Sequence, residues 1–88
     1  MRVIWTDPAL DKLSNFYVTL SLPEQDGLAR TVERMNAVLA LRPDELGESR
    51  KPWVRVWFEC GLMVRFEITP AEQLVTVYDV IRVQPKKR

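Results

Sequence analysis

The feature that most constrains this chain is a change of hydrophobic period near its middle. From Leu10 to Leu39 apolar residues recur at spacings of three and four, which makes one stripe along a helix. Beyond Pro52 they recur at spacings of two, which is the pattern of strands with two distinct faces. Helices followed by strands define an α+β arrangement rather than an alternating α/β one. With 88 residues there is room for a single domain.

Arg2, Val3, Ile4 and Trp5 form a short β-prone segment that stops at Thr6-Asp7-Pro8. Pro8 suits a first helical turn, where its missing N–H is not needed, and Thr6 or Asp7 can accept from the free amides. Leu10, Leu13, Tyr17 and Leu20 then make the apolar stripe of a first helix. Ser21 and Glu24 stand in capping-box spacing at the start of a second, whose stripe is Leu28, Val32, Met35, Val38 and Leu39. That helix should end before Arg42-Pro43, because a residue preceding proline resists the helical region. Residues 43–52 carry turn and cap residues without periodicity and are expected to be loop.

Three strands follow, Trp53 to Phe58, Leu62 to Ile68 and Leu74 to Val83, forming an antiparallel meander. In the middle one Leu62, Val64, Phe66 and Ile68 should face the helices while Met63, Arg65 and Glu67 face away. A three-residue turn of Glu59, Cys60 and Gly61 would pair Val56 with Val64 and Val54 with Phe66. That register keeps Val54, Val56 and Phe58 inside and sets Arg55 opposite Arg65, a like-charge pair that needs a counter-charge. In the last strand strict alternation would bury Asp79. A bulge near Tyr78-Asp79 would shift the phase and return Val80 to the core; pairing of Asp79 with an arginine is the other solution.

Composition closes off several chemistries. The sequence has no histidine and one cysteine, so it lacks the commonest metal ligand and general base and cannot form an internal disulfide. No metal and no cofactor is expected, and Cys60 is read as structural. No apolar run approaches the roughly 20 residues of a membrane span, and the opening MRVIWTDP lacks a signal-peptide layout, so a cytoplasmic protein is expected. The net charge of +1 hides an asymmetry. Residues 1–49 hold five Lys or Arg against eight Asp or Glu, and residues 50–88 hold eight against four. A basic second half is the electrostatic footprint of a polyanionic or acidic partner.

In order, VIWTDPALDKL, LALRPDELGESRKP, RVWFECGLMVRFEI and VTVYDVIRV cover nearly the whole chain and resemble the RelE/ParE family of toxins from bacterial toxin–antitoxin pairs. The resemblance implies an N-terminal strand, a helical hairpin and a three-stranded antiparallel meander. It also implies a type II toxin neutralised by a cognate antitoxin and acting on translation, through messenger RNA on the ribosome, or on DNA gyrase. Fold alone does not choose between these, nor between them and a catalytically silent member that binds its antitoxin as a co-repressor.

The RNA-cleaving branch sets lysines and arginines on the sheet face and C-terminal segment around the scissile phosphate, where they stabilise developing charge. Here that role would fall to Arg55, Arg65, Tyr78 and Arg82. Arg50, Lys51, Lys86 and Lys87 are candidate phosphate contacts, and Trp53, Trp57 and Met63 candidate anchors for the antitoxin. The chain departs from the pattern at two places. Met63 stands where that branch often carries an arginine, and VIRVQPKKR has no aromatic residue after its basic cluster. Binding or blocking is therefore expected ahead of fast cleavage.

Overall fold

Thr6 both stops the first strand and starts the first helix. Strand β1 (Arg2–Trp5) ends where the Thr6 hydroxyl accepts from the Ala9 N–H at 3.3 Å, and α1 (Asp7–Val18) follows with Pro8 in its first turn. Helix α2 (Leu22–Leu41) opens on the expected capping box: the Ser21 N–H donates to Glu24 Oε1 at 3.0 Å and the Glu24 N–H donates to Ser21 Oγ at 3.4 Å. It stops at Arg42, before Pro43. The computed structural model describes residues 1–51 and 53–83, and of Arg50 and Lys51 the backbone alone.

Of the expected loop, residues 43–51 are more ordered than a loop. A 3-10 turn at Pro43–Glu45 leads into β2 (Glu48–Lys51), which lies antiparallel to β3 (Val54–Glu59). Glu48-Ser49-Arg50-Lys51 has no apolar alternation because an edge strand is held by backbone pairing and need not bury a face. Gly47 turns the chain into it with φ at +60°, and a Cβ there would lie 1.9 Å from the Val56 carbonyl oxygen, so only glycine fits.

Strands β4 (Leu62–Thr69) and β5 (Leu74–Arg82) complete a five-stranded sheet in the order β1-β5-β4-β3-β2. Strand β1 runs parallel to β5, and the other neighbours are antiparallel. The β3–β4 register differs from expectation. Cys60 (φ 47°) and Gly61 (φ 84°) form a two-residue turn with both residues left-handed, which pairs Trp57 with Val64 and Arg55 with Phe66. Such a turn matches the natural twist of the strands it joins.

The faces of β3 are accordingly inverted: Trp57 is 8% exposed and lies in the core, whereas Phe58 is 57% exposed on the far side. Burying the indole, the largest apolar side chain of the strand, outweighs burying Phe58 with two valines that stay half-buried on the far side.

The bulge in β5 forms. Arg65 lies opposite Asp79 and Phe66 opposite Val77, leaving Tyr78 as the inserted residue; Val75, Val77 and Val80 are all fully buried on one side. Asp79 is paired as well, with Lys12 rather than an arginine. The core is built from these valines with Leu62, Val64, Phe66, Ile68 and Trp57, covered by Met35 and Leu39 of α2. Helix α1 turns a different edge inward than its stripe suggested. Ala9, Leu13 and Phe16 pack toward the sheet, and Leu10 and Tyr17 stay exposed.

Candidate functional site

The four residues assigned to phosphate chemistry do not converge. Arg55 points to the helix-covered side, half-buried, where Nε donates to the Leu46 carbonyl at 2.6 Å and Nη2 to that of Gly47 at 3.2 Å. Its guanidinium is thus occupied in holding the turn that leads into β2. Arg65 is exposed on the opposite face, beside Val56 rather than Arg55, so the like-charge pair never arises. Tyr78 sits half-buried in the bulge. Arg82 is on the same face as Arg55 but at the other end of the sheet, level with Leu62.

Arg82 borders a cleft of about 380 Å³ between α2 and the β3–β4 turn, floored by Leu28, Thr31 and Leu62 and edged by Glu24 and Cys60. Glu24 titrates below the ordinary glutamate value, chiefly because the Ser21 N–H and hydroxyl donate to it, with a smaller attraction from Arg82. On the cleft's rim Arg34 Nη2 reaches Cys60 Sγ at 3.8 Å. The cleft brings together opposite charges over a largely apolar floor, with Arg82 at one side and the Arg34 guanidinium turned to Cys60 at the rim.

Of the three anchor candidates Trp57 belongs to the core. Trp53 is 55% exposed beside Asp44, Arg55 and Ile68, and Met63 is half-buried on the open sheet face. A further apolar groove of about 290 Å³ runs between the helices, lined by Leu13, Tyr17, Leu28, Ala29 and Val32 with Glu33 at its margin. Sequence reading missed it by sending Tyr17 to the core; the signal was Phe16, one residue earlier, which fits an inward stripe with Ala9 and Leu13 equally well. The side chains of Arg50 and Lys51, and the whole of Lys86 and Lys87, lie outside the described residues.

Comparison with known proteins places the fold. No protein-family model matches the sequence, and no curated protein matches it significantly. Among the solved structures that match it, two are similar over nearly its full length. One belongs to the chromosomal ParDE toxin–antitoxin system of P. aeruginosa, with a TM-score of 0.69 and 22% identity across 96% of this chain and 97% of that one. The other is the isolated E. coli RelE toxin, with a TM-score of 0.61 and 13% identity across 97% of this chain and 86% of that one. The helical hairpin on a five-stranded sheet is therefore the RelE/ParE fold.

Proposed function

We propose that this chain is the toxin of a type II toxin–antitoxin pair, held inactive in the cytoplasm by a cognate antitoxin, and that it acts by blocking a target rather than by cleaving RNA. The observation that carries the first part is the near-complete overlap with the ParDE and RelE structures. What supports the second is the scatter of the cationic residues: Arg55 is bonded to two carbonyls, Arg65 faces away, and Arg82 stands beside Glu24. Ribose cleavage needs several cations at one phosphate and a proton-transfer group within bonding reach. Of the two targets that the resemblance implies, DNA gyrase suits a blocking protein better than messenger RNA on the ribosome.

The antitoxin, on this reading, covers the groove between α1 and α2 and the exposed ring of Trp53. The experiment is a pair of assays on cells arrested by the chain: gyrase supercoiling, expected to fail, and primer extension on messenger RNA, expected to show no new ends. Codon-spaced cuts would reverse the assignment. The same scatter of arginines favours, as a second reading, a silent member that binds its antitoxin as co-repressor, for which neither assay would change while operator binding tightened.

A further inference from the structure

The face of the sheet away from the helices, which carries Met63 and Arg65, also holds a charge pattern that neither of their candidate toxin roles requires. Both helices pack on the side of Trp57, Val64 and Phe66, and Lys12 of α1 reaches Asp79 at the β5 margin of the other. Register orders that open face into rows across the strands. Phe58, Met63 and Ile81 form one; Val56, Arg65 and Asp79 the next; Val54, Glu67 and Thr76 the third; Thr69 and Leu74 the fourth. Arg65 and Glu67 sit two positions apart at the centre of β4, both exposed; Arg65 lies across from Asp79 and attracts its carboxylate without closing an ion pair, and Glu67 makes no ion pair or side-chain hydrogen bond among the described residues.

This face is complementary to itself. A two-fold axis across the strands at the level of Phe66 exchanges the second and third rows and the first and fourth. Arg65 of one copy then meets Glu67 of the other, and the exchange happens twice, as any isologous contact requires. The same operation sets Val56 against Val54 on one side of each ion pair and Asp79 against Thr76 on the other, with Met63 against Thr69 and Ile81 against Leu74 beyond them, and among these residues no like charges meet. An axis along β4 would instead stack Arg65 on Arg65, which excludes it. Face-to-face sheets also pack well when their strands run nearly along one another.

We infer that this open face is the contact of a homodimer, in which Arg65 and Glu67 form two symmetric ion pairs. Its strength follows from its size. Five strands about 4.8 Å apart and eight residues of β4 at about 3.4 Å each give roughly 500 Å² on each copy, about 1,000 Å² in all, below the range of stable complexes. The dimer is therefore weak, forming in the micromolar range or above, and is displaced readily. This contact is separate from the toxin reading, since a chain without toxicity still carries the same face.

The test is charge reversal read by sedimentation equilibrium from micromolar to near-millimolar concentration. The parent should show a reversible monomer–dimer equilibrium. Arg65→Glu and Glu67→Arg should each weaken it at least about tenfold, because each places two like-charge pairs in the contact. The double reversal Arg65→Glu/Glu67→Arg should restore association to within about threefold of the parent, a recovery that a change of fold or of net charge does not produce. Ile81→Lys, at the rim of β5, should weaken the parent dimer with no loss of helical circular dichroism. A parent that stays monomeric throughout overturns the inference, as does a dimer indifferent to the single reversals or one that the double reversal does not rescue.

Discussion

Lys12 Nζ lies 2.6 Å from Asp79 Oδ1, joining the first helix to the bulged strand across 67 positions of sequence. The same Asp79 oxygen accepts the Val80 N–H at 2.9 Å, so this one carboxylate fixes the phase shift that returns Val80 to the core and ties it to α1. The Lys12 bond holds Asp79 below the ordinary aspartate value of 3.8, with Val80 N–H and the nearby Arg65 adding to it against a partial cost of burial. Because the folded value is the depressed one, the stabilisation is complete above the ordinary value and fades as pH falls below it.

Removing the two partners should therefore have unequal effects. Lys12→Ala takes away a half-exposed ion pair and should cost under about 1 kcal/mol. Asp79→Ala also unties the Val80 amide and should cost about 1–2 kcal/mol. Urea melts at pH 7 and pH 3 check both: the parent should lose more stability on acidification than Asp79→Asn does. Equal losses would separate the acid sensitivity from this pair.

The turn at Cys60-Gly61 has both residues left-handed, and only one of them is a glycine. Asparagine adopts that conformation at less cost than cysteine, so Cys60→Asn should raise stability by about 0.5–1 kcal/mol. Gly61→Ala should lower it by about 1 kcal/mol or more. A destabilising Cys60→Asn in thermal melts would contradict a two-residue turn.

The two tryptophans of β3 and its approach should part company. Trp57→Ala empties a core site and should cost about 3–5 kcal/mol, whereas Trp53→Ala, more than half exposed, should stay within about 0.5 kcal/mol in the same melts. An antitoxin-binding assay then separates surface from core. Trp53→Ala should weaken binding with the fold intact.

Arg55 and Arg82 give the corresponding contrast among the basic residues. Arg55→Ala leaves the carbonyls of Leu46 and Gly47 without their charged donor and should cost about 1.5–3 kcal/mol. Arg82→Ala breaks no described hydrogen bond and should leave stability within about 0.5 kcal/mol. Loss of growth arrest in Arg55→Ala alone would thus follow from instability; loss in Arg82→Ala with normal melts would mark the cleft beside α2 as functional.

Much of this fold is legible in the sequence, and the failures have identifiable causes. Thr6, Ser21 with Glu24, and Pro43 declare the helix ends because capping is local chemistry. Asp79 betrays the bulge because a carboxylate in an inward phase demands a break in phase. The register of β3 was misleading because Val54, Val56 and Phe58 outnumber Trp57 as apolar residues, whereas a single indole carries more area. Arg55 on the covered side looks implausible until the Leu46 and Gly47 carbonyls close over it, and nothing near Arg55 in sequence shows them arriving. The scatter of the candidate site follows directly, since one residue of register sends every side chain of a strand to the other face. Strand β2 was silent because its run Glu48-Ser49-Arg50-Lys51 has no apolar alternation to mark it as a strand.

The measurement that bears most directly on the proposed function is growth of a bacterial host after induction of this chain, alone and together with the small reading frame adjacent to its gene. Induction alone should arrest growth, and co-expression should restore it and yield a co-purifying complex. Normal growth at high soluble expression of the chain alone would contradict the toxin reading.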